Sequence, residues 1–259
     1  MIFINAYFDE SLPGQEDDSG LPPEFCVVAG FAQQAHLWID FSVEWGKILA
    51  LPKAIEYFHS VEANGRRDQF EGFTRPERDQ KVIALIDVIK GHRPLPLISA
   101  VLDREYQELL IEFPGVMPND PYIFCLHNLI IEVAELNDRR KISEPFLNAL
   151  IFENNQAMRK KAETAFDMVM ADRPDFTAIF TPLAFGDKKR YKPLQAADAL
   201  AYDSNKQFTT FLHNPRAKVR RSLQEILSRV PPTGLHWPWP YKDLRRLFED
   251  RYRKLTMGE

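Results

Sequence analysis

The sequence predicts an α/β fold: a mixed sheet that starts as an antiparallel meander, continues in parallel strands and is flanked by helices. Three observations carry this expectation. Two apolar runs, residues 2–9 and EFCVVAGFAQQ, stand on either side of a Pro-, Gly- and Asp-rich stretch, SLPGQEDDSGLPPE, most simply as an antiparallel pair. After residue 75, strand-like and helix-like runs alternate, as parallel strands joined by helical crossovers do. A chain of 259 residues, 45% of them hydrophobic, is long enough to bury a core around such a sheet.

The elements follow in order. HLWIDFSVEWGKIL spaces Leu37, Phe41, Trp45 and Ile48 or Leu49 as one helical stripe, and AIEYFHSVEA reads as a short third strand ending near His59. In ERDQKVIALIDVIK, Val82, Leu85, Ile86 and Ile89 share a face, with Arg75-Pro76 as entry and Gly91 as stop. LPLISAVLD is a strand, PYIFCLHNLIIEVAELN a helix, PFLNALIFE a strand and AMRKKAETAFDMVMADR a helix. FTAIFTPLAF is the last strand, and PLQAADALAYDSNKQF is a helix with Pro193 in its first turn. PPTGLHWPWP, residues 231–240, reads as a rigid linker before a final basic helix, YKDLRRLFEDRYRKL. The α/β body therefore takes residues 1–212 and a basic helical extension residues 213–259.

The net charge of -4 hides an asymmetry. Residues 213–259 carry eleven Lys or Arg against five Asp or Glu, which leaves the body near -10. Such a tail permits contact with polyanions, although a solvated helix pair gives the same count. The opening MIFINAYFDE has no basic flank and no small-residue cleavage site, and no apolar run reaches bilayer length, so a cytoplasmic location without membrane contact is expected. Cys26 and Cys125 lie in apolar runs without metal-knuckle spacing and are expected to be core thiols.

Chemistry is expected where apolar elements end in acids. Asp9, Asp103 and Glu153 each close a strand-like run, and the carboxyl edge of a parallel sheet is the usual ligand crevice. Asp198 sits inside a helix beside Ala196, Ala197, Ala199 and Ala201, small residues that allow close packing on a sheet. A carboxylate on that face needs a cation, a lysine from GDKKRYK, or exposure to water. Converging carboxylates repel unless a cation stands between them, and Mg²⁺ or Mn²⁺ accepts all-oxygen shells. His59 and Glu62 have an i, i+3 spacing suited to a metal if the segment is helical, although a structural histidine is the more common outcome. Ser11 lacks a G-x-S-x-G setting, and no glycine-rich phosphate loop is present.

With AYFDES at the start, VVAGF in the second strand, YFHSVEA in the middle and PLQAADALAY near residue 200, the chain resembles the family catalogued as domain of unknown function 3800. The resemblance spans about residues 5–210, and that family is similar to the ribonuclease H-like superfamily. It implies an antiparallel three-strand start followed by parallel strands. Acids are implied on the first strand (Asp9), on a later strand (Glu153, with Asp103 as competitor) and on a late helix (Asp198). His59 and Gln195 match positions characteristic of the family and are implied near the site. Two departures stand out: the acidic loop with the helix at 36–49 is extra, and no helix-borne Glu follows the third strand at the implied place.

The resulting expectation is a divalent-metal phosphodiesterase acting on nucleic acid. Asp9, Glu153 and Asp198 would hold Mg²⁺ or Mn²⁺, with Glu10 as a ligand or water-orienting acid. His59 and Gln195 would contact substrate, and Lys188, Lys189 and Arg190 would face phosphates. Two alternatives remain at this point: a catalytically silent nucleic-acid or protein binding module, and a metal-dependent hydrolase of a small phosphorylated molecule.

Overall fold

A computed structural model describes residues 1–14, 22–139, 146–228 and 238–257. Most of the acidic loop, and residues 231–237 of the expected linker, lie outside the described residues. The fold is α/β, with one five-stranded mixed sheet flanked by helices. Its strands are β1 (Ile2–Ser11), β2 (Phe25–Gln34), β3 (Leu95–Leu102), β4 (Phe146–Glu153) and β5 (Ala184–Gly186), arranged β3-β2-β1-β4-β5. β2 runs antiparallel to both β1 and β3, whereas β4 runs parallel to β1 and to β5. All strands except β2 therefore point their carboxyl ends to one edge, and β1 is central.

The helices are α1 (Leu37–Ala50), α2 (Ser60–Gly65), α3 (Arg75–His92), α4 (Asp103–Glu112), α5 (Pro121–Arg139), α6 (Gln156–Asp172), α7 (Lys192–His213), α8 (Arg221–Leu227) and α9 (Tyr241–Met257). Strand alternation divides the core in two. Tyr7, Val27, Ala29 and Ile151 face α1, α3 and α7, while Ala6, Phe8, Cys26, Val28 and Phe152 face α5 and α6. The second cluster also takes in Tyr106 of α4 and Phe248 of α9, whose rings meet edge to face at 5.5 Å. Cys26 and Cys125 are free, buried thiols. Among the described residues no helix is long and apolar enough to cross a membrane.

Sequence expectations are corrected at four points. The segment before His59 is not a strand, and its backbone donors go to side chains instead: Phe58 N–H to Gln195 Oε1 (3.0 Å) and Glu56 N–H to Gln69 Oε1 (2.7 Å). The third antiparallel strand is β3, so the first strand after residue 75 is antiparallel to its neighbour. FTAIFTPLAF begins inside a 3-10 turn (Pro174–Ala178) and then holds an isolated bridge from Phe180 to Asn148 and only the start of β5. Pro174 opens that turn, and Pro182 interrupts the run with a residue that lacks an N–H. Asp103 opens α4 rather than closing a strand.

α7 positions the site. From Pro193 to Thr209 it is buried on every side, against β1 and β2 below and α1, α2 and α8 around it. Ala196, Ala197, Ala199 and Ala201 let its axis approach the sheet. Further along, Asn205 Nδ2 donates to the carbonyls of Ser11 (2.9 Å) and Phe25 (2.8 Å), tying the helix to the ends of both strands. A buried amide so satisfied costs little and fixes register.

Candidate functional site

Three acids from three elements meet at the carboxyl edge. β1 and β4 pair in parallel up to Phe8 and Phe152, so the next residues, Asp9 and Glu153, stand side by side and share the α7 face. Glu153 in turn pairs with Gly186 of β5. A Cβ on Gly186 would lie 2.6 Å from the Tyr191 ring, so glycine lets the following turn fold back over the strand ends. That turn carries Lys188.

Lys188 Nζ lies 2.8 Å from Asp9 Oδ2, 3.0 Å from Glu153 Oε2 and 3.3 Å from Asp198 Oδ1. Only 8% of Lys188 is exposed, and Asp9 and Asp198 are 4% and 7% exposed. Asp9 Oδ2 meets the ammonium as an ion pair without a directed hydrogen bond. Asp198 Oδ2 accepts the Ser60 N–H at 2.7 Å. His59 Nε2 stands 3.5 Å from Asp198 Oδ1, and its Nδ1 stands 3.2 Å from Glu62 Oε1. Glu62, itself buried, also accepts Tyr57 O–H at 2.8 Å.

The protonation behaviour follows from these neighbours. Burial, opposed by Lys188 and reinforced by Asp198 and Glu153, pushes the Asp9 carboxyl up to about 6. Burial acts on Asp198 too, but Lys188, His59 and the Ser60 bonds outweigh it and hold that carboxyl below its ordinary value. Lys188 pays the same desolvation, yet Asp9, Asp198 and Glu153 raise it well above an ordinary lysine, so it is charged.

The expected site residues thus separate. Asp9, Glu153, Asp198, His59 and Lys188 are brought together. Asp103 shares the edge but lies beyond β2, on the far side of β1 from β4, with its carboxylate taking Gln107 Nε2 at 3.3 Å. Glu10 shares the opposite sheet face with Ala6 and Phe8, as alternation requires, and so is not a member of the Asp9 cluster. Gln195 is fully buried rather than substrate-facing: Oε1 accepts Trp45 Nε1–H (2.8 Å) and Phe58 N–H, and Nε2 donates to the Lys188 carbonyl (2.8 Å). Lys188 points into the acids rather than outward to phosphates, because the buried carboxylates attract its ammonium. Lys189 and Arg190 are exposed beside it, Lys189 lying 4.9 Å from the Tyr57 ring centre. Glu62 was legible only through its i, i+3 spacing from His59, while the Ser60 amide carried no sequence signal.

The donor set is all carboxylate oxygen, which suits a hard divalent cation. The three carboxylates surround an ammonium, and among the described residues no group of three or more His, Cys, Asp or Glu is arranged to hold a metal ion as it stands. No protein-family model matches the chain, and no curated protein matches it.

Proposed function

We propose that the chain is a divalent-metal-dependent phosphodiesterase acting on nucleic acid, a ribonuclease H-like nuclease related to the domain of unknown function 3800 family. The convergence of Asp9, Glu153 and Asp198 at the carboxyl edge of the mixed sheet carries this reading. The strand arrangement supports it: three antiparallel strands followed by two parallel ones is what the resemblance implies.

Asp9, Glu153 and Asp198 would hold Mg²⁺ or Mn²⁺, which when bound supplies Lewis-acid activation of water and phosphodiester. His59, with Nδ1 3.2 Å from Glu62 Oε1 and its side chain 34% exposed, would move a proton beside the acids. Lys189 and Arg190 would orient backbone phosphates. A catalytically silent binding module is the second reading, and one observation favours it: an ammonium already neutralises the acids.

The deciding experiment incubates the protein with single- and double-stranded RNA and DNA in Mg²⁺ or Mn²⁺. Cleavage is expected, reduced by about a hundredfold or more in Asp9→Asn and in Asp198→Asn, each shown by melting to be folded. No cleavage of any polymer, or cleavage indifferent to both substitutions, sinks the nuclease reading.

A further inference from the structure

We propose that Lys188 is the resident cation of the acid centre, so that its ammonium and a divalent metal ion are alternative occupants of one position. The inference rests on the metal-dependent reading above and adds to it a condition for metal entry.

The centre holds an ammonium by charge: Lys188 Nζ stands 2.8, 3.0 and 3.3 Å from carboxylates of β1, β4 and α7, and of these contacts the one to Asp198 is aligned as a hydrogen bond. Lysine is among the residues least often buried, and this one is buried among acids that would otherwise repel one another. It therefore supplies the charge neutralisation that a divalent ion supplies elsewhere.

The same distances exclude joint occupancy. Mg²⁺ binds oxygen at about 2.0–2.1 Å, so an ion at this point requires the three oxygens to close in by about 1 Å. The ammonium must then leave, on grounds of both volume and charge.

The backbone of the turn is held independently of the Lys188 ammonium. Gln195 Nε2 pins the Lys188 carbonyl at 2.8 Å, and Gly186 lets Tyr191 close behind it. The side chain of Glu153 is 38% exposed, which marks the open side of the centre. A phosphodiester arriving there gives the displaced ammonium a new counter-ion, so metal and polynucleotide are expected to favour each other's binding. Without polynucleotide, Lys188 holds the position.

Mn²⁺ titration by calorimetry and by thermal melting tests this on wild type, Lys188→Met and Lys188→Met with Asp9→Asn. The single variant is expected to bind Mn²⁺ about tenfold more tightly than wild type or better, and the double variant to lose that gain. Equal affinity in wild type and Lys188→Met overturns the competition and leaves the metal-dependent reading standing. Absence of binding in both removes both ideas. Tight binding by the variant without cleavage of any polynucleotide sustains the competition and removes the nuclease. If the Met variant does not fold, Lys188→Gln takes its place. Folding that requires Mn²⁺ supports the proposal, and failure of both variants to fold even with Mn²⁺ overturns it.

Discussion

Asp9 and Glu10 are chain neighbours placed on opposite faces of β1, and their carboxyls respond differently to that. Burial first, then the charge of Asp9, pushes Glu10 up to about 8, so it is protonated at neutral pH. The unfolded carboxyl ionises near 4.5. Between that value and about 8, unfolding releases a proton, so the contribution of Glu10 to stability is complete at low pH and is lost as pH rises through this window. Glu10→Gln is expected to gain about 3 kcal/mol on wild type between about pH 5 and pH 8, measured by denaturation in chelator. Parallel pH curves for the two proteins would show that this carboxyl titrates normally. At this scale much was legible: the acids ending β1 and β4 and the acid within α7 stand out by type and position, and alternation alone assigns only one of Asp9 and Glu10 to each face. A lysine from GDKKRYK was foreseeable as a partner of Asp198, and Lys188 fills that place at 3.3 Å, but which of the several cations in that run turns inward rather than toward phosphates is decided only by where the turn points it.

At the scale of elements, α7 is the piece that ties the site to the fold, and Gln195 joins three separate parts of the chain to it. It joins α1 through Trp45, the segment before α2 through Phe58, and the Lys188 turn. Gln195→Ala leaves two buried N–H donors and one carbonyl without that partner, which is expected to cost about 3 kcal/mol or more by chemical denaturation. A change below about 1 kcal/mol would show that water replaces the amide. The helices with long apolar stripes, α1, α3, α5, α6 and α7, were readable from periodicity. The segment before His59 misleads because AIEYF has strand-like residues, whereas its backbone donors are satisfied by Gln195 and Gln69. Such tertiary bonds leave no local pattern in the chain.

For the whole molecule, a mixed sheet was foreseeable, but which strand lies beside β1 was not, and that choice decides between Glu153 and Asp103. Pairing of β1 with β4 sets Glu153 next to Asp9, whereas β2 intervenes before Asp103. The basic C-terminal region has a second role that its charge alone conceals: Leu244 and Phe248 of α9 are fully buried in the cluster beneath α4 and α5. Removing residues 213–259 would therefore expose core, and weaker binding by such a truncation would not separate charge from folding. Lys242, Arg246 and Lys254 are exposed on α9 and can be reversed to Glu without touching that packing. If α9 contributes to polynucleotide binding, the triple reversal should leave the melting temperature unchanged and flatten the dependence of log affinity on log salt by about 2–3, each phosphate no longer neutralised accounting for about 0.7–0.9. Phe248→Ala, by contrast, should cost about 3–5 kcal/mol of stability while leaving that salt slope intact in the folded fraction. An unchanged slope in the triple reversal would assign α9 to packing alone.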